Sequence, residues 1–350
     1  MTYLGAFSKA APPPDYPGLS IDFGDPVPPE PYVMPEAAEA AVEVAWLLGR
    51  PLLVTGAPGV GKTRLGWAVA QKLGLRRGYH FVTRSTSEAQ DVFYSYDALR
   101  RYRDASGGGD GAEDVRRYVR FRALGAALLD AADPAETDRL AATGDWTRDP
   151  KATRSIVVID EIDKASRDFA NDVLVEVENM SFAVPELSQR RLPSPPPDRR
   201  PLVIVTSNAE RDLPEAFLRR CVFLHLGYPG EAELKTILSR HLEEILGPGG
   251  GGADGAARRD DVSRLVRSLQ AKDELRKKPG TAEAVDALRV MVAKDAAGAI
   301  IPRERALALA ELTLAKTFED LRIFRSEVQQ LFGVTLKPDG AAGAQTRAAG

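Results

Sequence analysis

PLLVTGAPGVGKTRLGWAVAQKLGL, residues 51–75, decides the fold. The opening PLLVT is a short, continuously apolar run, the pattern of a strand buried on both faces of a parallel sheet. RLGWAVAQKLGL (64–75) repeats apolar residues at helical spacing and stops near Gly74. Between them, Gly56-Ala57-Pro58-Gly59-Val60-Gly61-Lys62-Thr63 is a full match to the phosphate-binding loop pattern, sitting straight after a strand and opening a helix, as the mechanism needs. The glycines let backbone N–H groups turn inward as an anion nest, and the helix N-terminus adds partial positive charge. Lys62 is placed to reach β- and γ-phosphates and the Thr63 hydroxyl to hold Mg²⁺, with Arg64 next to them on the same helix start.

Working outward, HFVT (80–83), SIVVID (155–160), PLVIVTSN (201–208) and CVFLHL (221–226) are further strand candidates. A helical pattern runs from Pro35 to Gly49. Strands alternating with helices argue for βαβ units and a doubly wound parallel sheet. Beyond Pro229 the strands cease, and four helical patterns follow, broken by the flexible GPGGGGADGAA (247–257). The expected organisation is a proline-rich, extended arm (1–30), an α/β core (31–228), a smaller all-helical subdomain (229–336) and a disordered tail (337–350). Residues 84–152 read as a helical insertion: SEAQDVFYSYDALRRYRDA and YVRFRALGAALLDAA as helices around a SGGGDGAED joint.

Charged residues make up 28% of the chain and the net charge is −3, so there is no overall basic excess of the kind that marks an obligate nucleic-acid binder. The single cysteine, Cys221, excludes an internal disulfide framework and fits a reducing cytosol. The first residues lack a basic stretch followed by an apolar one, and no run reaches about 18 apolar residues. A soluble, cytoplasmic protein without a membrane span is expected.

In SIVVIDEID, four apolar residues carry Asp160 and Glu161 to a strand's C-terminal end, where ligands bind in such sheets. Asp160 suits the outer shell of Mg²⁺, and Glu161 suits the general base that polarises an attacking water. Asp163-Lys164 reads as a solvated helix start. A following strand that ends in Asn208 would aim an amide between the γ-phosphate and that water.

Together these residues resemble an AAA+ ATPase: GAPGVGKT its Walker A, IVVIDEID its Walker B, TSN its sensor 1, and LRRC its arginine-finger segment. PYVMPEAAEAAVEVAWLLGRPLLVTGAPGVGKT and DLPEAFLRRC more narrowly resemble MoxR-type members. The resemblance implies a P-loop NTPase (AAA+) three-layer α/β sandwich with a central parallel sheet, followed by an all-α lid. It implies ATP and Mg²⁺ as ligands. Residues 84–152 take the place of the helix 2 insertion, and 181–200 that of a β-hairpin before sensor 1. By the same resemblance, Arg220, with Arg219 as the close alternative, would reach the nucleotide of the next subunit. Arg303 of GAIIPRERALALAELTL would serve as sensor 2, with Lys278 as the alternative, although Ile301 departs from the small residue usual before the proline. Tyr32 and Val33 match positions that line the adenine pocket. Family members form hexameric rings and act as chaperone-like remodellers, often with a von Willebrand A domain partner.

A competing function is a nucleic-acid-associated NTPase, clamp-loader-like or associated with restriction and defence. In its favour are Arg190, Arg191, Arg199 and Arg200 around the hairpin, and the arginines flanking Tyr102, Tyr118 and Phe121. Against it, these arginines alternate with acidic stretches, as on solvated helix faces. A GTPase restriction subunit would need a guanine-type signature that is not evident. A metabolic kinase must exclude water rather than aim one.

Overall fold

The computed structural model describes residues 19–21, 26–27, 32–75, 77–106, 114–133, 137, 154–187, 190–191 and 194–336. Contacts group the chain into two units, residues up to Ala57 with Lys62–Leu226, and Pro58–Gly61 with the residues from Gly227 onward.

The first unit is a layered α/β structure. Its sheet contains β1 (Leu19–Ile21), β2 (Pro26–Val27), β3 (Leu52–Gly56), β4 (Arg77–Val82), β7 (Ser155–Asp160), β10 (Leu202–Ser207) and β11 (Val222–Leu226), in the order β11-β3-β10-β7-β4-β1-β2. The five strands from β11 to β4 are all parallel. β3 and β10 are buried at every position and β7 at all but its last, which explains why these strands read as unbroken apolar runs. Chain order places β3 beside β10 rather than beside β4, so the carboxyl ends of β3, β7 and β10 open together at a switch in strand order.

Helices α1 (Glu36–Leu48), α2 (Lys62–Lys72), α4 (Ala123–Ala131), α5 (Arg167–Asn179) and the short α6 (Glu215–Leu218) complete the layers, with α3 (Ala98–Ser106) farther along the chain from α2. α1 stops at Gly49, whose φ of 63° lets its N–H turn back to the carbonyls of Ala45 and Trp46. α2 lies so close to β7 that a Cβ on Gly66 would stand 2.5 Å from a Val158 methyl. Val157, Ile159, Val203 and Val205 pack with Leu124, Leu128, Phe169 and Leu174 in one buried cluster. Each such side chain contributes about 1.5–3 kcal/mol.

Two features differ from the sequence expectation. Segment 84–152 is not a helical insertion throughout: β5 (Tyr94–Tyr96) and β6 (Val119–Phe121) pair antiparallel within it, because Val119, Arg120 and Phe121 alternate buried, exposed and buried, the period of a strand. α4, also in that segment, is buried along its whole length and packs on β4 and β7 as part of the sandwich. Second, the proline-rich arm contributes β1 and β2 to the sheet edge, β1 parallel to β4 and β2 antiparallel to β1. The rest of 1–30, the glycine joint at 107–113 and the tail 337–350 lie outside the described residues. Within 181–200, β8 (Ala183–Val184) and β9 (Arg190–Arg191) pair antiparallel.

The second unit is helical: α7 (Glu231–Leu246), α8 (Gly252–Gln270), α9 (Thr281–Met291), α10 (Arg303–Leu314) and α11 (Phe318–Phe332) surround Leu234, Leu238, Leu265, Val266, Leu288, Leu307 and Phe324. The loop tip 58–61 falls in this unit: the Ala282 N–H donates to Gly59 O at 3.0 Å. Among the described residues no helix is long and apolar enough to cross a membrane.

Candidate functional site

The loop that follows β3 has positive φ at Gly56 (151°), Gly59 (78°) and Gly61 (100°), the left-handed half of φ space that side chains avoid. This turns the chain sharply from strand into α2 and leaves backbone N–H groups available to an anion. Lys62, the first residue of α2, is buried, and its ammonium donates to the carbonyls of Gly56 and Ala57, both at 2.9 Å. Burial pushes its pKa down, while Asp160, Asp163 and Glu161 pull the other way. A cation placed in this way on neutral carbonyls can turn to a polyphosphate without breaking an ion pair.

Thr63 donates to both oxygens of Asp160, at 3.0 and 2.9 Å. Asp160 ends β7 and is held on two more sides: Thr206 donates to Oδ1, and His80 Nε2 lies 3.3 Å from Oδ2. Burial acts against the charge of Asp160, but the hydrogen bonds from His80, Thr206 and Thr63 outweigh it and hold the carboxyl below its usual value. Thr63 and Asp160 are hard oxygen donors in direct contact, the donor set that Mg²⁺ uses when substrate phosphates and water supply its remaining ligands. These two residues fit the ion.

Glu161 turns out of the sheet with φ 57°. Its carboxylate accepts from Asn208 Nδ2 at 3.3 Å through Oε1 and from Lys164 through Oε2. β10 delivers Asn208 one residue past its end, and the loop behind is tied down by Asp163, which accepts from the N–H groups of Asn208 (3.3 Å) and Glu210 (2.9 Å). Asp163 is 2% exposed, so it is not the solvated helix start expected; its neighbour Lys164 reaches the carboxylate of Glu161.

Lys62, Thr63, Asp160, Glu161 and Asn208 are thus gathered by direct bonds or by adjacency in the chain. Other candidates have different partners. Arg219 pairs with Glu215, and Arg220 Nε donates to Glu178 at 2.9 Å. Arg303 forks onto Asp261 at 2.6 and 2.7 Å and lies over the Phe332 ring; Lys278 donates to Asp273 at 3.2 Å. Tyr32 and Val33 are partly buried just before α1, and Arg64 is exposed. Thr206 lay within the TSN stretch and Asp163 was read as part of a solvated helix start, but neither they nor His80 were given a part in the site. Thr206, two residues before Asn208, carried a signal: with Ser207 it puts hydroxyls at the end of a strand that is apolar up to that point.

A family model described as ATPase family associated with various cellular activities (AAA) matches residues 52–227, just over half of the chain. No curated protein matches. Among solved structures, a crystal structure of the FIGL-1 AAA domain in complex with ADP aligns over 84% of this chain and 87% of that chain, at 16% identity and a TM-score of 0.41. With the phosphate loop, Asp160 and the strands around them all inside the matched span, the chain belongs to the AAA family of ATPases.

Proposed function

We propose that this chain hydrolyses ATP with Mg²⁺ as a cytoplasmic, ring-forming ATPase of the MoxR type, and that it spends the energy on remodelling or activating a protein partner, one with a von Willebrand A domain being the form the resemblance suggests. One observation carries the hydrolytic reading. Glu161, the residue after an aspartate bonded to the phosphate-loop threonine, accepts from an asparagine delivered by the neighbouring strand.

In this reading Gly56, Ala57, Pro58, Gly59, Val60 and Gly61 present the backbone nest, and Lys62 turns from its loop carbonyls to the β- and γ-phosphates. Thr63 and Asp160 hold Mg²⁺, which when bound neutralises charge on those phosphates. Glu161 takes a proton from water as the water oxygen bonds to the γ-phosphorus and the bond to the ADP oxygen breaks. Asn208 orients Glu161 and the water. Arg303, or Lys278, and the adenine-side pair Tyr32 and Val33 complete the nucleotide contacts, with Arg64 beside Thr63. Arg220 or Arg219 from the next subunit stabilises charge on the γ-phosphate.

Of the arginines that favour a nucleic-acid role, three have partners within their own chain. Arg116 is bound to Asp114, Arg191 to Glu176 and Ser181, and Arg200 to Ser194 and the Pro195 carbonyl.

Two variants test the reading. Lys62→Ala should lose binding of a fluorescent ATP analogue. Glu161→Gln should bind it normally yet turn over at least about a hundredfold more slowly, the range a general base supplies. Normal turnover by Glu161→Gln would remove Glu161 from the role of base.

A further inference from the structure

Among the groups that hold Asp160 and Glu161, one side chain touches both. Thr206 has no solvent exposure. Its hydroxyl donates to Asp160 Oδ1 and accepts the Glu161 backbone N–H at 2.9 Å. A hydroxyl has one proton and two lone pairs, so both bonds form at once. The register of the sheet sets this up: Val205 stands opposite Ile159, which leaves Thr206 level with the point where β7 ends and the chain turns.

The two bonds are not equally replaceable. Asp160 keeps Thr63 and His80 if the Thr206 hydroxyl is removed. The Glu161 N–H has left the strand ladder at a φ of 57°, and Thr206 is the partner it has there. An N–H left unpaired in such a place is costly and shifts until it finds an acceptor. Any such shift moves the carboxylate of Glu161.

We propose that Thr206 is a positioning residue. Its hydroxyl locks the metal-side carboxylate and the backbone of the base into one arrangement, and its effect reaches turnover through Glu161 rather than through nucleotide affinity. This rests on Glu161 being the base, as read above.

The test compares Thr206→Val, which keeps the shape and removes the hydroxyl, with Thr206→Ser, which keeps the hydroxyl. Thr206→Val should lower kcat by about ten- to a hundredfold, the cost of a lost orienting partner one bond away from the chemistry. The affinity of a fluorescent ATP analogue with Mg²⁺ should stay within about threefold of the parent, because Asp160 is still held. Thr206→Ser should restore kcat. The Thr206→Val and Glu161→Gln double variant should be no slower than Glu161→Gln alone, since the hydroxyl acts only through that base. Parent-like turnover by Thr206→Val, equal impairment of the Val and Ser variants, or a further multiplicative loss in the double variant would each overturn the proposal. Should Thr206→Val not fold, Thr206→Cys, with its weak S–H donor, takes its place in the same comparison. The two readings fail separately. An active Glu161→Gln removes the base, whereas an inactive Glu161→Gln beside a fully active Thr206→Val removes only the role of Thr206.

Discussion

Glu161 and Ala209 both hold φ 57°, a conformation that costs an L-residue about 1–2 kcal/mol and persists only where its surroundings enforce it. For Ala209 the enforcement comes from Asp163, whose two oxygens take the N–H groups on either side, those of Asn208 and Glu210. The Asn208 side chain is therefore aimed by its own backbone, which a buried carboxylate holds. Asp163→Ala should free that loop, lowering kcat by about tenfold or more while leaving nucleotide affinity close to that of the parent. Single-turnover kinetics alongside equilibrium binding would separate the two, and a loss of affinity with kcat unchanged would contradict the assignment. Asp160 adds a pH signature. Its folded pKa lies below the ordinary 3.8, so the stability it contributes is complete above that value and is lost as the pH falls through the lowered one. Melting temperatures taken down an acid series should fall less steeply for Asp160→Asn than for the parent.

At the scale of elements, α4 carries the sharpest constraint. A Cβ on Gly125 would stand 1.9 Å from the carbonyl oxygen of Phe93, an atom that already accepts the Arg122 N–H at 2.8 Å. Glycine there lets the helix press against the backbone before β5. Alanine would gain about 1 kcal/mol of helix propensity. It should nonetheless destabilise the protein by about 2–3 kcal/mol, since the obstacle is backbone that cannot swing aside. Urea unfolding of Gly125→Ala would show it, and a midpoint equal to the parent's would mean the helix can shift at little cost. This helix also shows where reading the chain reaches its end. β3, β7 and β10 were legible within a residue or two because burial along nearly their whole length keeps a strand largely apolar, and β11 was legible as an apolar run although only Leu224 and Leu226 in it are buried. YVRFRALGAALLDAA was not, because three residues of strand run into nine of helix with only Arg122 between, and apolar residues at both periods overlap there. The site divides in the same way. Lys62, Thr63, Asp160, Glu161 and Asn208 stand at motif spacing, whereas Thr206, His80 and Asp163 matter through register and backbone direction, which appear only when the strands are paired.

For the whole molecule, the open question is whether one chain holds a complete site. Arg219 and Arg220 follow α6, and each is occupied by a carboxylate of its own chain, Glu215 and Glu178. Exposed pairs of this kind are worth about 1 kcal/mol or less, so a γ-phosphate could displace either carboxylate. Repeated head-to-tail contact, the geometry that closes into rings, would bring such an arginine to a neighbour's nucleotide. The rate per subunit should then rise with protein concentration, and Arg220→Ala should abolish the rise. A mixing experiment is more decisive. Arg220→Ala subunits keep Glu161, and Glu161→Gln subunits keep Arg220, so each preparation alone should be nearly inactive. Mixed in equal amounts, about a quarter of the sites in a random ring pair an intact base with a neighbour's intact arginine, and activity should return in that proportion. If Arg219 is the finger, Arg219→Ala will complement Glu161→Gln and Arg220→Ala will already be active alone. If neither arginine variant loses activity, or if neither mixture recovers it, hydrolysis does not depend on an arginine from the next subunit, and the two ion pairs at the end of α6 are structural.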